Sequence, residues 1–470
     1  MIRSDALPVQ IVGAGLAGTL LAILLAQRGF PVRVFEKRAD PRSAAPGGGR
    51  SINLALAARG LRALEAAGLA ERLQPALLPL RGRIVHEPGT PETLQPYGQA
   101  PHEVIYSVSR AQLNLELVRA AAELPNVELR FEQTLLGVAP ASNTLQLRDN
   151  RGGWPYECAL APTICVDGAA SAARQSLAAG GWLQASEELL DHGYKELTIP
   201  SRGGEFALDP QGLHIWPRGG YMLIALPNPD RSFTATLFLP HQGAAASFAA
   251  LRDDAAVQAF FATQFPDAVA LMPELLGEFA AHPVGLLGTV RADRWQIDGR
   301  CLLLGDAAHA IVPFHGQGVN CAFEDCLALC VLLDDGADWP EAFATLERTR
   351  RADVEAIAQM ALENYYEMRD GVRDPQYLAE RELALLLERW YPQQLIPRYS
   401  MVMFHPEIPY SVAQRRGAEQ QHLIRELLAA GFSGRDTSDA ARRALDAHPA
   451  LRALLAARAS GAARGPRAPQ

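Results

Sequence analysis

The chain has 470 residues and a formal net charge of −8, with 49% hydrophobic and 20% charged residues. That length suits two or three domains around a large core, and the apolar share excludes a disordered chain. A net negative balance leaves no electrostatic footprint for nucleic acid, and no apolar run reaches the ~18–20 residues that span a bilayer. Lys37 and Lys195 are the only lysines, so the basic residues are nearly all arginine. Six cysteines are present without a CxxC or any paired ligand spacing. Cys321, Cys326 and Cys330 fall on or near one expected helix and read as small buried thiols, so no metal site is expected and the compartment is a reducing one, the cytoplasm. The apolar segment after Gly18 is too short for a signal peptide and already belongs to a nucleotide-binding pattern.

Residues 8–12 form an apolar strand that runs into Gly13-Ala-Gly15-Leu-Ala-Gly18 and then a helix over 19–28. A second strand, 32–35, ends in Glu36. This is the strand, glycine turn, helix, strand order that a dinucleotide fingerprint needs. Gly13 serves the tight turn, Gly15 lets the chain approach a pyrophosphate, and Gly18 lets helix and strand pack closely. Glu36 stands where a carboxylate accepts from the adenosine ribose hydroxyls, which favours FAD or NAD over NADP at this site. Residues 37–49, rich in Pro, Gly, Arg and Ala, read as a loop. A helix follows over 57–67, then strands at 81–86 and 94–97 around a turn at Pro88-Gly89. A strand at 104–108, a helix at 111–124 and a strand at 127–131 continue an alternation that suits a parallel sheet. The strand 163–166 ends in Asp167-Gly168-Ala-Ala-Ser171-Ala-Ala-Arg174. Here Asp167 and Gly168 shape a turn near a pyrophosphate, Ser171 caps a helix and Arg174 pairs locally.

Between 194 and 240 the pattern changes to extended segments separated by Pro and Gly turns, which reads as an inserted antiparallel sheet. A helix is expected over 248–265. The stretch Cys301 to Cys330 then supplies a short strand, Gly305-Asp306, two small residues, and a helix starting near 316–320. Asp306 suits a ribityl hydroxyl, and the N–H groups at that helix start suit a partial negative charge. Beyond Trp339 the chain reads as helical over 340–373, 375–390, 410–430 and 438–457, with a disordered tail at 459–470.

Together the three glycine-containing motifs resemble those of the aromatic-ring flavoprotein monooxygenases with a single FAD-binding domain. Further stretches narrow that likeness to the kynurenine 3-monooxygenase family. They are Arg50-Ser-Ile-Asn-Leu-Ala-Leu with Arg59-Gly60, Arg81-Gly-Arg83 with Pro96-Tyr97-Gly98, His192-Gly-Tyr194, Leu213-His-Ile-Trp-Pro-Arg218, and Asn364-Tyr-Tyr-Glu-Met-Arg369. The likeness runs from about Val9 to about Gln414.

The resemblance implies an α/β fold: a Rossmann-like FAD-binding domain with an inserted, mostly antiparallel β-sheet substrate domain and a C-terminal helical region. The expected boundaries are 1–70, 100–180 and 290–340 for the first, 71–99 and 181–289 for the second, and 341–458 for the third. It implies that Arg83, Tyr97, Asn364 and Tyr399 hold a substrate amino acid, with Phe238 and Met368 in the same pocket. It implies FAD contacts at Leu16, Glu36, Arg110, Leu135, Asp306, Gln317, Gly318, Val319 and Asn320, beside Gly13, Gly15, Gly18 and Asp167. Arg83 suits a carboxylate, which a guanidinium grips through two parallel bonds.

Two positions depart from the family pattern. Ala170 stands where an aromatic is common. His315 follows Phe314 where Phe is frequent, and reads as a shaping residue in the pocket wall rather than an acid or base. The membrane anchor of mitochondrial relatives has no counterpart here. The implied chemistry uses non-covalent FAD, with NADPH and O2 as co-substrates. The reduced flavin forms a hydroperoxide that delivers oxygen to L-kynurenine ortho to its amino group. A second GxGxxG is absent, so NADPH is expected to visit transiently. A hydroxylase acting on another aromatic acid keeps every flavin motif and differs only at the substrate positions. A non-catalytic binding protein on this fold is disfavoured by the intact Glu36 and Asp306. A halogenase is disfavoured by the scarcity of lysine and the lack of WxWxIP.

Overall fold

The computed structural model describes residues 7–43, 53–243 and 246–462. Arg50, Ser51 and Ile52 of the family-like stretch, residues 44–49 of the expected loop and the end of the tail lie outside the described residues.

A six-stranded sheet runs in the order Gln296–Ile297, Cys301–Leu303, Thr163–Cys165, Val9–Val12, Val32–Glu36, Val127–Phe131. All pairs are parallel except the first. Val9–Val12 lies where the strand order reverses, which is where open α/β sheets bind ligands beyond their strand ends. Gly13, Asp167 and Gly305 therefore follow, and Glu36 closes, the carboxyl ends of strands in one sheet, although they are widely spaced in sequence. The Leu16–Gln27 helix begins inside the glycine motif, with Gly15 as its N-cap, rather than at residue 19. Ten of its residues are buried, so it packs as an apolar rod rather than an amphipathic one.

The inserted sheet has seven strands, in the order Gly285–Ala292, Ala185–Ile199, Phe233–Pro240, Met222–Pro227, Gly212–Pro217, Gly82–Val85, Thr93–Pro96. It is antiparallel except where Gly82–Val85 runs parallel to Gly212–Pro217. That parallel pair carries Arg83 into the sheet, opposite Leu213. One face is covered by the Asp254–Gln264 and Leu275–Ala281 helices around Trp216, Phe233, Phe261 and Phe265.

Several local expectations change. The strand near 104–108, Ile105–Ser109, is not part of the parallel sheet. It pairs antiparallel with Asn53–Leu56 and Leu78–Leu80 in a small separate sheet. A second three-stranded sheet, Gln133–Ala139, Thr144–Asp149 and Pro155–Ala159, is not among the sequence expectations; a register shift leaves Leu136 unpaired in its first strand. The helix expected from 248 starts at Asp254, where the Asp253 side chain accepts from the Ala256 N–H. The one expected over 438–457 is two helices, Asp439–Ala447 and Pro449–Ala462. Pro449 accounts for the break, because it holds His448 extended. The second helix extends through four residues of the expected disordered tail. The short Arg398–Phe404 helix was not foreseen.

The Trp339–Arg369 helix, 31 residues long, spans from the first sheet to the second and presents Asn364, Tyr365 and Met368 to the interior. Among the described residues no helix is long and apolar enough to cross a membrane. All six cysteines are free thiols, and five of them are buried.

Candidate active site

The first part of the site is a groove at the strand ends. Gly13 has φ +107°, and a Cβ there would meet the Val166 carbonyl oxygen at 2.6 Å. A Cβ on Gly18 would lie 1.9 Å from the Gly13 oxygen, so this glycine sets how closely helix and turn pack. A Cβ on Gly15 would meet nothing within 4 Å. Backbone is thus exposed to open space at the one motif position where a pyrophosphate needs close approach. Glu36 is buried. One of its oxygens accepts from the Ala14 N–H at 2.8 Å, the other from the Arg38 N–H and Nε at 2.9 and 2.8 Å. Burial pushes its pKa up, but Arg38 and the amides more than offset this and hold the carboxylate below its usual range. Asp306 is exposed beside Ala307 and Ala308, which are fully buried.

The Gly318–Asp334 helix opens on the same groove, and by position its first-turn N–H groups, at Gly318 and Val319, lack intrahelical acceptors. No side chain caps this end. Gln317 and Asn320 do not reach the groove with their side chains. Gln317 accepts from Tyr410 Oη at 2.7 Å. Asn320 accepts from Ala57 N–H and donates to the Ala55 and Gly316 carbonyls. Asp167 is likewise turned inward, accepting from Ser171 Oγ at 2.6 Å and the Ala173 N–H at 3.1 Å. Arg174 ties the two loops together by donating to the Ala169 and Ala307 carbonyls. Leu16 and Leu135 bury their side chains in the core, and Arg110 is exposed at the start of its helix. The open space beside the Gly15 backbone, the carboxylate of Glu36 at the end of the second strand and the uncapped helix end fit FAD.

The second part is a cavity of about 210 Å³. Arg83, Tyr97, Asn364, His315 and Tyr399 line it, so the structure gathers four expected substrate residues and the departing histidine on one wall. Phe238, Phe314 and Met368 are not on its surface. Phe238 and Phe314 pack with ring centroids 5.0 Å apart, Phe314 stacks on Tyr365 at 4.0 Å, and Met368 sits behind Asn364. They form an apolar wall between cavity and sheet.

Arg83 is buried. Its Nη1 is 2.7 Å from a Glu367 oxygen and its Nη2 donates to Asn364 Oδ1 at 3.0 Å. Burial opposes its charge, yet Glu367 overrides this and raises its pKa above the ordinary arginine value. Burial equally opposes Glu367, and Arg83 with the Tyr377 hydroxyl, 2.8 Å away, lowers it. Tyr399 lies between Tyr97 and His315, with centroids at 5.2 and 5.4 Å and nearly parallel rings. Burial raises the pKa of both phenols, so they remain neutral donors. His315 is lowered to about 4, by burial first and by the charges of Arg398 and Arg83. Its Nδ1 has no hydrogen-bond partner.

Glu367, Tyr377 and Arg381 also line the cavity and were not singled out in the sequence. Glu367 could have been found from its spacing: it lies three residues after Asn364, one turn along the same helix face. Tyr377 and Arg381 come from a later helix whose packing leaves no local signal. Deeper in the core, His309, Cys321 and Asp325 bring potential ligand atoms within 4.8 Å of one another. The Arg350 guanidinium, 2.8 Å from Asp325, already supplies the positive charge there.

A family profile described as FAD binding domain matches residues 6–361. The chain is 48% identical over 417 residues to a kynurenine 3-monooxygenase of Xanthomonas euvesicatoria, covering 88% of this chain and 91% of that protein. It is 45% identical over 420 residues to that of Myxococcus xanthus, covering 89% and 90%. A solved structure, the tetrameric form of 2-methyl-3-hydroxypyridine-5-carboxylic acid oxygenase, superposes with a TM-score of 0.61 at 21% identity, over 80% of this chain and 96% of that one. Groove, cavity and relatives agree, and the chain belongs to the kynurenine 3-monooxygenase family of FAD-binding proteins.

Proposed function

We propose that this chain hydroxylates L-kynurenine to 3-hydroxykynurenine, consuming NADPH and O2 and releasing NADP⁺ and water. Bound FAD supplies the redox chemistry, accepting hydride from NADPH and activating O2. The protein's own part is to hold the ring in place and keep water away.

The Arg83–Glu367 pair carries this reading. A cation and an anion, side by side on one cavity wall, match the carboxylate and ammonium of an α-amino acid. Arg83 takes the carboxylate and Glu367 accepts from the ammonium. Asn364, anchored to the Phe314 carbonyl at 2.6 Å, keeps the guanidinium in plane. Tyr97 and Tyr399 add neutral donors. His315 is uncharged at neutral pH and serves as a flat wall. Phe238, Phe314 and Met368 exclude water behind the head group. A simple aromatic acid has no partner for Glu367, which disfavours a hydroxylase acting on an aromatic acid without an amino group.

The same reading places the cofactor-binding part at 1–70, 100–180 and 290–340, the substrate part at 71–99 and 181–289, and a cover at 341–458. NADPH docks transiently, and six unpaired thiols suit the cytoplasm.

A panel of aromatic acids with NADPH, scored by product mass, tests the reaction: one oxygen gained on kynurenine is expected. Glu367→Gln tests the pair. It removes a charge-assisted bond of about 1.5–3 kcal/mol, so KM for kynurenine rises about 10- to 150-fold. Binding of the analogue lacking the α-amino group should hold steady. Equal weakening of both ligands would contradict a role with the ammonium.

A further inference from the structure

We propose that Arg59 is a positioning residue that locks the helix carrying Tyr399 onto the helix that opens on the cofactor groove. The inference rests on the function proposed above and extends it to a side chain that touches neither ligand.

Arg59 lies on the Ala58–Ala66 helix and its side chain is fully buried. Nε donates to the Val402 carbonyl at 3.2 Å, and Nη2 donates to the carbonyls of His405, at 3.3 Å, and Ile408. Val402 lies in the last turn of the Arg398–Phe404 helix, three residues after Tyr399. Carbonyls at a helix end lack intrahelical donors and carry partial negative charge. Arg59 therefore caps a seven-residue helix that has too few turns to hold itself in place.

The remaining contacts of Arg59 run to the other helix and to Tyr410, the first residue of the Tyr410–Ala429 helix. Nη1 is 2.7 Å from Glu324, on the Gly318–Asp334 helix, and Glu324 is also bonded to Arg350 at 2.8 Å. The guanidinium lies 3.9 Å from the Tyr410 ring centroid. The Tyr410 hydroxyl donates to Gln317, the N-cap of that helix, and Gln317 donates to Met403 Sδ. Arg59, Gln317 and Tyr410 form a closed set of contacts linking the wall residue Tyr399 to the uncapped N–H groups of Gly318 and Val319. The spacing between substrate and cofactor is then held by this lock, not by either ligand alone.

Arg59→Lys keeps the charge and loses the planar fork that spreads over three carbonyls. With FAD still bound, judged by the visible flavin spectrum, KM for kynurenine should rise about tenfold. The share of consumed NADPH that ends as hydroxylated product should fall, with H2O2 making up the difference. Tyr410→Phe removes one hydroxyl and should shift both readouts the same way by about threefold. A merely structural role would lower the yield of folded protein or its melting temperature, leaving KM and coupling of the folded fraction as in the wild type. That pattern would overturn the proposal. If Arg59→Lys fails to fold, Tyr410→Phe decides: unchanged KM and coupling reject the lock, and a shift in both supports it. Wild-type protein is run in parallel. No turnover of kynurenine there rejects the function itself, whereas normal wild-type turnover with unaltered variants rejects only the lock.

Discussion

His315 is the residue where burial has the clearest consequence for pH. Its pKa is about 4, pushed down by burial and by neighbouring arginines, whereas an unfolded histidine titrates near 6.5. Above about 6.5 both states are neutral and this residue adds no pH dependence. As pH falls from about 6.5 toward 4, the unfolded chain takes up a proton that the folded chain refuses, so stability drops. His315→Phe should erase that contribution. The melting temperature of the wild type relative to the variant is expected to be lower at pH 5 than at pH 7.5. An equal difference at both values would show that the ring is not buried as described. Activity between pH 6.5 and 8.5 should follow the same profile in both proteins, because the imidazole stays neutral throughout. Arg83 and His315 both line the cavity, and each stands in a stretch that the family resemblance had singled out. What local sequence could not show is that Arg83 arrives already paired with Glu367, since strand and helix meet across 284 residues.

At the scale of elements, the glycine turn separates folding from binding within six residues. Gly15 adopts φ −73°, which alanine also accepts, and an added Cβ projects into open space. Gly15→Ala should therefore leave the unliganded protein within about 0.5 kcal/mol of the wild type while weakening FAD at least about tenfold. Gly18→Ala drives a Cβ into the Gly13 carbonyl and should lower the yield of folded protein outright. Thermal unfolding of the apoprotein and titration with FAD distinguish the two. Equal behaviour of both variants would mean that Gly15 packs against protein. This turn was readable because each glycine has a steric reason of its own. The first strand of the sheet beginning at Gln133 was not, because an unpaired Leu136 breaks its alternation. Nor was the Arg398–Phe404 helix, which has a proline as its N-cap and depends on the distant Arg59 for its end. Stretches such as Leu213-His-Ile-Trp-Pro-Arg218 carried the family likeness, yet Trp216 is fully buried and donates to Asp267 at 2.6 Å. Likeness to a family therefore marks core residues as readily as site residues.

Across the whole molecule, the C-terminal helices divide into two layers with different duties. Pro375–Trp390 and Tyr410–Ala429 face the cavity and contribute Tyr377, Arg381, Gly417 and Gln420 to its lining. Asp439–Ala447 and Pro449–Ala462 lie behind them and contribute none. Their buried Leu445 and Leu451 instead complete a separate core with Leu383, Leu386, Leu387 and Leu427. Tyr391 donates to Asp446 and Arg458 donates to the Gln394 and Arg416 carbonyls, binding the layers together. Deleting 439–470 should thus act on stability before it acts on substrate. Each fully buried leucine contributes about 1.5–3 kcal/mol, so the shortened chain should unfold at a clearly lower temperature or urea concentration. While it remains folded, KM for kynurenine should stay within about threefold of the full chain, because the inner layer keeps its contacts with the cavity. A steep rise in KM without loss of stability would instead assign the outer layer to the substrate seat, and the helices now read as support would have to be counted among the walls.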